Sequence, residues 1–105
     1  MPLYTFIMEY AGGTYISQVK AQSPKMACVN AARRIDLSEV SAMGPKSKES
    51  LINQLKEEPP VVLFGLSNAW CTSALVRGEL VLINLVQTER SNDERRAIFN
   101  GRATA

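Results

Sequence analysis

The chain has 105 residues, of which 46% are hydrophobic, and twelve basic against ten acidic side chains leave a formal charge of +2 with no histidine at all. That length fits one α+β core and is long enough to bury it without a disulfide or metal staple. The small charge excess does not by itself argue for nucleic acid, and the missing imidazole removes Ser-His and Cys-His catalysis.

Leu3 to Tyr10 alternates with period two, placing Tyr4, Phe6, Met8 and Tyr10 on one face and Thr5, Ile7 and Glu9 on the other, the pattern of a half-buried strand. Gly12-Gly13 follows, and then Tyr15, Ser17, Val19 and Ala21 alternate with Ile16, Gln18 and Lys20. A two-residue turn at the glycines predicts a hairpin with Tyr10 opposite Tyr15, Met8 opposite Ser17 and Phe6 opposite Val19. A phosphate loop would need a lysine with serine or threonine after the glycines, or a third glycine opening a helix; a strand pattern follows instead.

Ser23-Pro24 predicts a helix start, a capping hydroxyl ahead of a proline suited to the first helical position. Through Ile35 its inner face is Ala27, Cys28, Ala31 and Ile35, with Lys25, Asn30, Arg33 and Arg34 toward water. This first hairpin and its small-residue helix, residues 4–35, resemble the opening of HicB-like antitoxin domains. The third strand and proline-containing turn that this family carries between hairpin and helix are missing, so neither function nor residues are carried over.

Leu37, Val40 and Met43 follow at spacing three, consistent with a short helix or an irregular packed loop. A second helix is expected from about Lys48 to Glu57, capped by Ser47 and stopped by Pro59-Pro60. Val61 to Leu66 reads as a buried strand with Gly65 at a bulge, and Ser67-Asn68-Ala69 as a turn. Trp70 to Val76 and Leu80 to Val86 then form a hairpin about Arg77-Gly78, setting Trp70 opposite Leu85, Thr72 opposite Ile83 and Ala74 opposite Val81. Ser91 to Glu94 has capping-box spacing and predicts a short helix to Phe99.

The expected organisation is one domain over 1–90, with a short helix and frayed tail over 91–105. The fold class is α+β: an antiparallel sheet of four to five strands in the order ββααβββ, with two helices on one face. Cys28 and Cys71 lack metal or redox spacing and read as reduced thiols, no cofactor is implied, and without a leader or spanning segment a cytoplasmic protein is expected.

Chemistry is sparse. Glu9, Glu57, Glu58 and Glu79 have no spacing that selects a carboxylate pair, and the aromatic residues of the first hairpin belong to the face the helices cover. Ile7 and Ile16, with Gln18 beside them, fall on the outer face and form the candidate protein interface. The leading expectation is a non-enzymatic interaction or regulatory protein that binds a protein partner or itself through a sheet face or edge. The alternative is a nucleic-acid-associated regulator contacting phosphates through Lys25, Arg33 and Arg34.

Overall fold

The two hairpins set the frame, and the computed structural model describes them within residues 1–89. In chain order the elements are β1 (Leu3–Tyr10), β2 (Gly13–Lys20), α1 (Pro24–Arg33), α2 (Pro45–Glu57), β3 (Val61–Val62), β4 (Ala69–Val76) and β5 (Glu79–Glu89). They build a five-stranded sheet in the order β2-β1-β5-β4-β3, antiparallel at every pairing. This is the α+β arrangement that the alternation predicts. The expected helix from Ser91 to Phe99 lies outside the described residues.

The first turn is Ala11-Gly12, both at positive φ (48° and 82°), as a two-residue type I′ hairpin requires. Tyr10 therefore pairs with Gly13, Met8 with Tyr15 and Phe6 with Ser17, two residues away from the expected register. The reason lies at Gly13. The ring of Tyr15 folds over it so closely that a Cβ there would stand 2.6 Å from the phenolic oxygen, making Gly13 a strand residue under an aromatic ring. A shift of two leaves every side chain on its expected face, so Tyr4, Phe6, Met8 and Tyr10 all enter the core. The second hairpin turns at Arg77-Gly78, again with both φ positive (53° and 81°), and its register is the expected one: Trp70–Leu85, Thr72–Ile83, Ala74–Val81.

Helix α1 begins where Ser23 and Pro24 dictate, with the Met26 N–H donating to Ser23 Oγ at 3.2 Å. Ala27, Cys28, Val29, Ala31 and Ala32 are all buried, and their small volumes let the helix lie close to the sheet. Helix α2 starts at Pro45, three residues before the expected Lys48. Gly44 is its N-cap residue, while Ser47 is buried within the first turn instead of capping it. Proline is preorganised for that first position and has no N–H to leave unpaired. Leu51 and Leu55 face the core, and Lys48 Nζ donates to Ile35 O at 2.9 Å, tying α2 to the segment that follows α1.

Between the helices the chain is a turn-rich packed loop with Val40 and Met43 buried, and Tyr10 Oη donates to Ala42 O across 3.2 Å. The Ser38 hydroxyl and then the Ser38 N–H, bonded to Asp36 at 2.6 and 3.0 Å, hold that carboxyl below its usual range, with a smaller contribution from the Lys48 charge.

Val61 to Leu66 departs from expectation. Only Val61 and Val62 form a strand, both are exposed, and it lies at the sheet edge. Gly65, at φ 85°, belongs to a tight turn closed by Leu66 N–H donating to Leu63 O, not to a bulge, and Ala69 already belongs to β4. The apolar run overstated burial because an edge position beside Pro59-Pro60 has no neighbour on its outer side.

Both helices cover the same face, where Phe6, Met8, Val81, Ile83 and Leu85 are almost fully buried and Tyr4 meets Trp70 edge-on at 5.8 Å. Burial pushes the Tyr4 phenol pKa up. No helix among the described residues is long and apolar enough to cross a membrane.

Candidate interaction surface

The opposite face of the sheet carries no helix among the described residues. Strand registers arrange its side chains in transverse rows: Ile16, Ile7, Asn84, Cys71 and Val61 in one, and Thr14, Glu9, Leu82 and Ser73 in the next. Beyond them Leu80 pairs with Leu75. In the observed register Ile7 and Ile16 are direct cross-strand partners, with Ile16 66% exposed and Ile7 half-buried. Leu75, Leu80 and Leu82 are 62%, 50% and 42% exposed, so the apolar surface extends across four strands.

The face is graded along the strands. At its other end Gln18 Nε2 donates to Thr5 Oγ1, which donates to Thr88 Oγ1, each at 3.0 Å, and Lys20 stands beyond them. Between these ends, Val61, Cys71, Leu82 and Asn84 with Glu58 line an open groove of about 450 Å³. The turn after β3, toward the Ala69 end of β4, holds Phe64 and Leu66, both exposed.

Alternation in the sequence places Ile7, Ile16 and Gln18 on this face, as the structure does, but it does not single out Leu75, Leu80 and Leu82. The signal was in β5, where Leu80-Val81-Leu82-Ile83 is apolar at every position. An antiparallel strand with one solvated face should alternate, so a continuous apolar run indicates two faces suited to cover.

The β4 edge is closed by an unusual device. The Gln54 side chain acts as a short strand: its Nε2 donates to Leu75 O at 2.7 Å and its Oε1 accepts from Leu75 N–H at 3.1 Å. With Val61 paired to Cys71, this blunts an edge that would otherwise be open to pairing.

The structure does not gather the basic candidates into one stripe. Lys25, Arg33 and Arg34 are exposed, but Lys25 is in the first turn of α1 while Arg33 ends it and Arg34 caps it. At about 100° per residue, Lys25 and Arg34 point to opposite sides of the helix. Arg34 shares the rim of a cavity of about 110 Å³ with Asp36 and Glu39, whose charges oppose a phosphate.

The turn Ala11-Gly12 joins two strands and opens no helix, so it lacks the N-terminal dipole of a nucleotide loop. Among the described residues no three Cys, Asp or Glu side chains form a metal-holding group.

The two thiols are free and lie on opposite sides of the sheet, Cys28 in the core and Cys71 half-buried on the open face. Burial pushes the Cys28 pKa up to about 12. At pH 8 an alkylating reagent is expected to add one group to the native protein, at Cys71, and two after urea unfolding, read by intact mass. The folded pKa lies above the unfolded value, so the Cys28 contribution is intact below about pH 9 and is lost as pH rises toward 12. Urea titrations at pH 8 and 10.5 should therefore show an alkaline loss that Cys28→Ala reduces.

No family model, curated protein or solved structure gives a significant match to this chain.

Proposed function

We propose that this chain is a non-enzymatic association protein of the cytoplasm that binds a protein partner through the open face of its sheet. One observation carries the reading: Leu75, Leu80 and Leu82 stand exposed on a face that also bears Ile7 and Ile16, and the central strand is apolar on both sides from Leu80 to Ile83. Scattered exposed aliphatic residues are ordinary, but several on one uncovered sheet face with a polar margin resemble the anatomy of a protein interface. Two unpaired thiols fit a reducing compartment.

The test is a double variant, Leu80→Lys with Leu82→Lys, used as bait beside the wild type in affinity capture from the native host. Both side chains project from the sheet into solvent, so the far-UV spectrum and Tm are expected to stay near wild type. Affinity for the captured partner is expected to fall on the order of 30-fold or more, the size of a hot-spot loss of about 2 kcal/mol. Equal capture by a folded double variant would remove the open face from the interaction.

A further inference from the structure

We propose that β2 is a pairing edge for a second copy of this chain, joining two sheets antiparallel across a two-fold axis at Ser17. A two-residue hairpin closes on a hydrogen-bonded pair, here Tyr10 and Gly13, so Gly13, Tyr15, Ser17 and Val19 direct their backbone groups to β1. Thr14, Ile16, Gln18 and Lys20 then direct theirs outward. Among the described residues none of those outward N–H or C=O groups has a partner in a turn, a loop or a side chain.

The two edges of the sheet are treated differently. The β3 edge is two residues long, and Gln54 occupies the backbone groups of Leu75 beyond it. The β2 edge runs eight residues, pairs with β1 without a register shift, and has neither proline nor charge from Gly13 to Val19. Proteins that keep such an edge unpaired usually interrupt it with one of those devices.

The sequence of β2 suits its own reverse. With Ser17 on the axis, Thr14 faces Lys20 of the second copy and Ile16 faces its Gln18, so every outward residue on both strands is paired, with about eight hydrogen bonds. A slip of one pair leaves an outward residue unmatched on each chain. Charge selects the same register. Thr14 lies beside Glu9 on β1, so Lys20 of the second copy arrives on the same face two strand spacings from Glu9, about 9.5 Å, within reach of the two extended side chains. The contact is isologous and closes as a dimer, with both open faces on one side of a ten-stranded sheet.

The proposal rests on reading the chain as an association protein but uses the edge, not the open face. Light scattering on the full chain from about 10 to 200 µM should give twice the 11.6 kDa chain mass. Gln18→Pro removes an outward N–H while leaving the β1 ladder intact, and is expected to be a folded monomer.

Glu9→Lys is expected to weaken the dimer about tenfold, and adding Lys20→Glu to restore it; this pair decides the matter should the proline variant lose its far-UV spectrum. Ser17→Cys in a Cys71→Ser background is expected to form a disulfide-linked dimer under mild oxidation, because facing non-hydrogen-bonded residues stand about 4.5 Å apart between Cα atoms.

A wild-type monomer at 200 µM overturns the proposal and leaves partner capture by the open face standing. A dimer that survives in folded Gln18→Pro but dissociates in Leu80→Lys, Leu82→Lys overturns it in favour of face-to-face packing. A dimer that dissociates in Gln18→Pro and survives the leucine changes supports the edge.

Discussion

Phe6→Ala is expected to cost about 3–5 kcal/mol of stability, measured as a drop in the urea midpoint at unchanged slope. Phe6 is 2% exposed near the centre of β1, flanked by β2 and β5, and shares a small cavity wall with Ala31 of α1. Removing the ring forfeits its transfer free energy and leaves a void that neighbours as small as Ala31 and Ser17 cannot fill. Domains of this size have about 5–15 kcal/mol in total, so the loss is a large share of the whole and should lower Tm by many degrees. Phe6→Leu retains most of the volume and should cost less than half as much. A loss below about 1 kcal/mol for Phe6→Ala would show that α1 does not pack on β1 as described.

Leu51→Ala is the second large effect, expected at about 2–5 kcal/mol. Helix α2 has thirteen residues, an N-cap without a side-chain hydrogen bond, and three residues buried within it: Ser47, Leu51 and Leu55. A helix of that length is marginal alone, so its order depends on docking. Leu51 is wholly buried, and its truncation removes much of the apolar contact holding α2 to the sheet. Hydrogen exchange should show the loss locally, with faster exchange of α2 amides and of the Leu75 N–H bonded to Gln54. A Leu51→Ala, Leu55→Ala pair should be non-additive, because once α2 is undocked the second truncation has little left to disrupt. Strict additivity would indicate that α2 is held mainly by other contacts.

Much of the fold was legible because two-residue periodicity is a strong local signal. Tyr4, Phe6, Met8 and Tyr10 declared the buried face of β1, and Ser23-Pro24 declared the start of α1. The first turn was less legible for a physical reason. Glycine reaches positive φ more readily than alanine, so Gly12-Gly13 is the better local choice, yet the Tyr15 ring over Gly13 moves the turn to Ala11-Gly12. Val61 to Leu66 misled because an apolar run does not say whether anything covers it.

The candidate surface was half legible: Ile7 and Ile16 followed from alternation, whereas Leu75, Leu80 and Leu82 required knowing that both helices lie on the other side. Arg33 and Arg34 are adjacent in sequence, but at about 100° per residue only Arg34 falls opposite Lys25 around α1, while Arg33 lies about 80° from it.

The Gln54 amide joins two failure modes that are usually separate. Because the group that protects β4 is carried on α2, any fluctuation that lifts the helix also uncovers the backbone of Leu75, whose side chain lies with Leu80 on the open face. Loss of helix docking therefore releases a templating edge at the same moment, so partial unfolding should lead to assembly before the chain is globally denatured.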